Sequence, residues 1–307
     1  MENYVSVIGG INIDIKGVPL ADLLPETSNP GSVSTSPGGV GRNIAHNLAL
    51  LGVPVYLFGV IGNDEFGSRV LSQTKVAGVD VTYVQILNDQ PTGMYLSILD
   101  ASRNPAVAIA DMEITHGVDP AYLDTHREVI QHSSFVVVDT NVDPAVLGYV
   151  CELCQQAHIP CLVEPVSVEK AKKFHALNGD CDYLTPNRAE LGALCQRPIE
   201  HLHQLEAACA QLSHKCRQIL VTLDEDGVYS YSREQQTGKF YPPFKTRIVD
   251  PNGAGDAFVA GFVCGLSRHF EMDDAIQLGM AAAHLTLQSE DTVSEKMSFA
   301  ACSALAP

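Results

Sequence analysis

Short runs of β-branched and aromatic residues recur along the chain at 4–8, 55–60, 135–138, 161–163 and 219–222. Such runs, apolar at nearly every position, suit strands buried on both faces rather than strands with one wet face. Between most of them the apolar positions fall at helical spacing, as with Val40, Ile44, Leu48 and Leu51. Strand alternating with helix predicts βαβ units, and so an α/β fold: a mostly parallel sheet with helices on both faces. From Gly253 to about residue 304 the pattern is almost wholly helical.

Two segments depart from this pattern. Residues 12–36 are punctuated by Pro and Gly and show little helical periodicity, while 84–112 read as strands at 84–87, 93–99 and 107–110. Together they predict a small sheet standing off the main body as a lid. With no repeat, low-complexity tract or long linker, 1–307 reads as a single domain carrying lid segments at 12–36 and 84–112. In open α/β sheets ligands sit beyond the carboxyl ends of the strands. There this chain places Asp139-Thr140-Asn141, Glu164, Thr185 with Asn187, and Thr222 with Asp224.

Charge narrows the partners. With 19 basic against 36 acidic residues, the net of −17 opposes binding to nucleic acid or to an anionic membrane. A small phosphorylated ligand stays open, because backbone N–H groups can hold it locally. No apolar stretch approaches the roughly 20 residues of a membrane span, and the N-terminus lacks a signal-peptide pattern. The nine scattered cysteines include Cys151-x-x-Cys154, which has metal-like spacing but no second pair. Free thiols in the reducing cytoplasm are the expectation.

Three motifs carry chemistry. Asp250-Pro251-Asn252-Gly253-Ala254-Gly255-Asp256 runs into an apolar helix. Glycines at a helix entry let consecutive N–H groups converge on a developing anion, and Asp256 can then take a proton from an attacking hydroxyl. The same residues also suit an ordinary helix start with an acid in its first turn. Ser36-Pro37-Gly38-Gly39-Val40-Gly41-Arg42-Asn43 enters another helix, but without the spacing of a dinucleotide fingerprint. Its glycines permit close backbone approach to a substrate, with Asn43 placed to bond hydroxyls. Asn12-Ile13-Asp14 follows the first strand, where Asp14 either clamps a vicinal diol or forms an Asx turn.

Gly38-Gly39 with Asn43, then Pro186-Asn187-Arg188-Ala189-Glu190, then Gly253-Ala254-Gly255-Asp256 occur in that order. The set, spread over essentially the whole chain, resembles the ribokinase-like (phosphofructokinase-B-type) carbohydrate kinase family. The resemblance implies a three-layer α/β/α sandwich with a β-sheet lid, and ATP-dependent phosphorylation of a hydroxymethyl group assisted by Mg²⁺. It makes Asp256 the general base and Gly253, Ala254 and Gly255 the anion hole. It assigns Asn187 and Glu190 to Mg²⁺ and its waters, and Thr222, Gly227 and the Asn252 loop to ATP. It also matches Asp250 to a position that holds a monovalent cation such as K⁺ in several members, and many members dimerise through the lid. Three departures from the family pattern stand out: Pro251-Asn252 replaces a pair of threonines, Asp224 a glycine, and Glu164 an aspartate.

Within the family, Asn29-Pro30-Gly31, the run Pro37–Ala45, Tyr95–Asp100, Ala110-Asp111-Met112 and Glu164-Pro165-Val166-Ser167 are similar to pseudouridine kinases. Ribokinases tend to carry Lys-Gly-Ala-Asn after the paired glycines, where this chain has Val40-Gly41-Arg42-Asn43, so Arg42 points away from free ribose. On this resemblance the substrate is a nucleoside. Asn12, Asp14, Gly38, Gly39, Arg42 and Asn43 would face the ribose, and Thr92, Tyr95 and Asp111 a uracil-like base. Inosine/guanosine, adenosine or ribose kinases are the alternatives within the family. A catalytically silent nucleotide-binding module is the alternative outside it, favoured only by the 250–252 loop and Asp224.

Overall fold

The structure, a computed structural model, describes residues 3–102, 105–177, 179–245 and 248–306. The main sheet contains β1 (Val5–Ile8), β4 (Val55–Gly62), β5 (Val84–Leu87), β8 (Phe135–Asp139) and β9 (Cys161–Glu164). It continues through β10 (Cys181–Leu184), β11 (Cys216–Thr222), β12 (Val228–Ser232) and β13 (Thr237–Tyr241). The nine strands lie in the order β13-β12-β11-β10-β9-β8-β1-β4-β5. Their pairings are parallel except β11–β12 and β12–β13, which are antiparallel.

The alternation of side chains along these strands builds two cores. Val7, Leu57, Val137 and Leu162 point to one face, against α1 (Val40–Leu50), α2 (Glu65–Val76), α9 (Ala254–Ser267), α10 (Met272–Leu287) and α11 (Phe299–Leu305). Ile8, Phe58, Val138 and Val163 point to the other. That face is covered by α3 (Pro120–Thr125), α4 (Arg127–Gln131), α5 (Pro144–Ala157), α6 (Val168–Ala171), α7 (Arg188–Leu194) and α8 (Leu205–Leu212). All nine cysteines are buried free thiols, so Cys151 and Cys154 fill core positions. No helix among the described residues is long and apolar enough to cross a membrane.

A second sheet of four strands has the order β3-β2-β6-β7, from β2 (Asn12–Pro19), β3 (Gly31–Gly38), β6 (Gly93–Leu99) and β7 (Pro105–Asp111). One of its faces carries Asn12, Asp14, Lys16, Ser36 and Tyr95, and the other Ile13, Ile15, Thr35, Leu96 and Ile109. Beyond the part covered by α2, the second face leaves Val33, Val107 and Ile109 exposed.

Two expectations need correction. The 84–87 segment is not part of the small sheet: β5 pairs parallel with Gly59–Gly62 of β4 and forms an edge of the main sheet. The helical run after Gly253 breaks at 288–298, where the polar stretch Ser289-Glu290-Asp291-Thr292 offers no apolar stripe to bury.

Candidate active site

Gly253 caps α9 in the left-handed region, at φ 82°. A Cβ there would lie 2.1 Å from the Thr292 carbonyl oxygen, so glycine is required both by conformation and by space. The turn sets Ala254, Gly255 and Asp256 in the first turn of α9, where backbone N–H groups lack helical partners. Asp256 is buried, and its Oδ2 accepts a 2.7 Å hydrogen bond from Asn43 Nδ2. Burial raises the Asp256 carboxyl to about 7. The Asn43 bond and the Arg42 charge pull it down, while Asp139 and Asp14 push it further up.

Gly39 enters α1 at φ 98°, and a Cβ there would strike the Gly10 carbonyl. Gly38 packs so closely on Asp14 that a Cβ would overlap its carboxylate. Asn12 Nδ2 donates to Asp14 Oδ1 at 2.7 Å. Burial raises the Asp14 carboxyl, against the opposing pull of Asn12, Arg42 and Lys16. Arg42 is buried below them and donates to the Pro37 and Gly38 carbonyls. Asn12, Asp14, Gly38, Gly39, Arg42, Asn43 and Asp256 thus form one connected cluster.

A small cavity of about 130 Å³ lies on the other side of Asp256, lined among others by Glu164, Thr185, Asn187, Glu190, Thr222 and Gly255. Asn187 and Glu190 cap the start of α7 reciprocally: Asn187 Oδ1 accepts from Glu190 N and Glu190 Oε2 from Asn187 N, each at 2.9 Å. Thr222 is bridged to Asn187 at the end of β11, and Gly227 closes the turn that follows. Burial pushes both Glu164 and Glu190 up, and Glu190 adds its charge to the effect on Glu164. Two buried carboxylates facing one polar cavity suit a hard divalent cation such as Mg²⁺. No group of three or more His, Cys, Asp or Glu among the described residues could hold a metal alone. Water and phosphate oxygens would complete such an ion's shell.

The cost of that pair is measurable. A carboxyl raised on folding contributes fully below its unfolded pKa, and the contribution is lost as pH rises through the folded value. Glu164→Gln is therefore expected to raise Tm at pH 8.5 by about 2–4 °C, the scale of about 1 kcal/mol. The gain should shrink at pH 5; in a thermal melt, an equal or negative shift at pH 8.5 would refute the strain.

Other expected residues stand apart. The Thr92 hydroxyl donates to Asp64 Oδ1 at 2.7 Å and accepts from Gly62 N at 3.0 Å, so it braces the start of α2 and is already occupied. Asp111 is paired in register with Met94, in the row of Ile13, and therefore lies on the sheet face opposite Asp14. Tyr95 shares a row with Asp14 and is 41% exposed. Asp250 does not fit a free cation ligand: its Oδ1 accepts from Asn252 N at 2.9 Å and its Oδ2 pairs with Lys16 Nζ at 3.2 Å.

Asp139 belongs to the site although the motifs do not single it out. Fully buried at the end of β8, it accepts from the N–H groups of Gly10, Gly41 and Asn141, at 2.8–2.9 Å. It joins the turn after β1 to the start of α1. Its only sequence signal is a carboxylate at a strand end, which Glu164 shares.

Comparison with known proteins agrees with this geometry. The family model described as pfkB family carbohydrate kinase matches residues 2–297. The chain is 33% identical to the pseudouridine kinase of Escherichia coli over 97% of this chain and 95% of that one. It is 28% identical to the guanosine-inosine kinase of Exiguobacterium acetylicum over 94% of this chain and 96% of that one. The fold superposes on Arabidopsis thaliana ribokinase complexed with ribose and ATP at a TM-score of 0.87, with 23% identity and 99% of both chains covered. With its Gly-rich helix entry, buried Asp256 and paired sheets, the chain belongs to the pfkB family of carbohydrate kinases, ATP-dependent phosphotransferases that act on a sugar or nucleoside hydroxyl.

Proposed function

We propose that this kinase phosphorylates the 5′-hydroxyl of a nucleoside, with pseudouridine as its preferred substrate. The observation that carries the reaction is Asp256: a buried carboxylate, held by Asn43 and raised to about 7, at the head of α9. A base with a pKa near the working pH combines a useful unprotonated fraction with enough basicity to take a proton. Support for the substrate comes from the 33% identity to a pseudouridine kinase over nearly the full length of both chains.

In this reading Asn12 and Asp14 hold the ribose diol against the Gly38-Gly39 turn, with Tyr95 flanking the base. The 5′-hydroxyl then meets Asp256, which takes its proton as the γ-phosphoryl group is attacked in line. The N–H groups of Gly253, Ala254 and Gly255 stabilise charge developing on that group. Asn187, Glu190 and Thr222 orient the phosphates, and the loop through Asn252 and the turn at Gly227 flank the nucleotide. Mg²⁺ bound through Asn187 and Glu190, by way of water, would offset phosphate charge. Lys16 supplies a positive charge to Asp250 beside this loop.

ADP release measured with pseudouridine, uridine, inosine, guanosine, adenosine and ribose tests the substrate. The highest kcat/KM is expected with pseudouridine. Preference for ribose or for a purine nucleoside would replace it, as the guanosine-inosine relative makes worth testing. ATP binding without transfer to any acceptor would point to a silent binding module.

A further inference from the structure

Arg42 was expected at the substrate, yet its donors are turned into the protein. Arg42 is 3% exposed, and its guanidinium makes four hydrogen bonds: to the carbonyls of Pro37 and Gly38, to His46 Nδ1 and to Asn43 Oδ1. A guanidinium has five N–H groups, so at most one is left for a ligand. Asn43 sits between this donor-only group and the acceptor Asp256. Its amide therefore has one sensible orientation, with Oδ1 toward Arg42 and Nδ2 toward Asp256 Oδ2. Held this way, Asn43 engages Oδ2 and leaves Oδ1 of Asp256 without a hydrogen bond among the described residues.

We propose that Arg42 is a positioning residue for phosphoryl transfer: it locks the Asn43 amide, and the locked amide presents Oδ1 of Asp256 to the substrate hydroxyl. The proposal rests on Asp256 being the base. Without the fork, Asn43 Oδ1 loses its donor and only the bond to Asp256 Oδ2 holds the amide, so the side chain can drift from its place beside the carboxylate. The other charged groups around Asp256 are Asp14 on β2, Asp139 on β8, Glu164 on β9 and Glu190 near the start of α7. All are carboxylates, so among the described residues around Asp256 Arg42 is the cation that opposes them.

The test is steady-state kinetics across pH on Arg42→Met, Asn43→Ala and the double variant, with thermal melts alongside. Arg42→Met should lower kcat about tenfold to hundredfold while nucleoside KM changes less than about threefold, the pattern of an interaction realised in the transition state. Its acid limb should move up by about one pH unit, as expected when a nearby opposite charge is removed. The double variant should be no slower than Asn43→Ala alone, because Arg42 acts through Asn43. A raised KM with an unmoved acid limb, or losses that simply add, would overturn the proposal. If Arg42→Met does not fold, Arg42→Lys decides: it keeps the charge but loses the fork, so a fall in kcat supports the lock and wild-type kcat refutes it. Near-normal turnover in Asp256→Asn would instead remove the base reading beneath it.

Discussion

Asp256→Asn is expected to lower kcat by about 10²–10⁴-fold, the range for loss of a general base. Nucleotide affinity, measured by calorimetry with a non-hydrolysable ATP analogue, should change little. The substitution is nearly isosteric, and the Asn43 Nδ2–Asp256 Oδ2 bond can be remade to an amide oxygen. The backbone nest at Gly253–Gly255 is untouched, so the residual rate should reflect positioning and charge stabilisation alone. The melt should not fall, since the variant removes a buried carboxylate that lies near Asp139 and Asp14. Turnover near the wild-type value would require another base, and the geometry offers none as well placed.

The second large effect is on pH. Asp256 must be unprotonated to accept the hydroxyl proton, and burial holds its pKa at about 7. Below that value the active fraction falls tenfold per unit, so kcat/KM at pH 5 should be roughly a hundredfold below its plateau. An ordinary carboxylate, near 3.9, would leave the rate almost flat between pH 8 and 5. A flat profile in that range would therefore contradict the burial of the base. Stability runs the other way: the stabilising contribution of a raised carboxyl is full below the unfolded pKa and lost as pH rises through about 7. At this residue the enzyme is most active where folding is most burdened, a trade common in active sites.

Much of the fold was legible because strands buried on both faces leave continuous apolar runs, as at 135–138, and helices leave their own spacing. What failed is instructive. Val84-Gln85-Ile86-Leu87 is a short apolar run like the strand at 93–99 in the small sheet. Its true partner, β4, is a long-range pairing that no local pattern records. The two glycine turns were legible because helix entries at Gly39 and Gly253 demand a residue without Cβ. Asp139 and Glu164 look like any solvated strand end in the sequence; their burial, which makes them chemically unusual, appears only when neighbouring strands close around them. Thr92 and Asp111 stand apart from the cluster for a related reason. One hydroxyl was already bonded to Asp64, and one side chain lay on the wrong side of a strand by a single residue.

The Lys16–Asp250 pair also bears on how substrate enters. It ties the smaller sheet to the segment that leads into Gly253, with side chains 38% and 21% exposed. Ion pairs this wet are worth at most about 1 kcal/mol and weaken with salt. The tie between β2 and the loop before Gly253 is therefore a weak one that salt loosens further. The hold of the smaller sheet on the 250–252 loop should weaken with ionic strength, so nucleoside KM should respond to salt even though the nucleoside itself is uncharged.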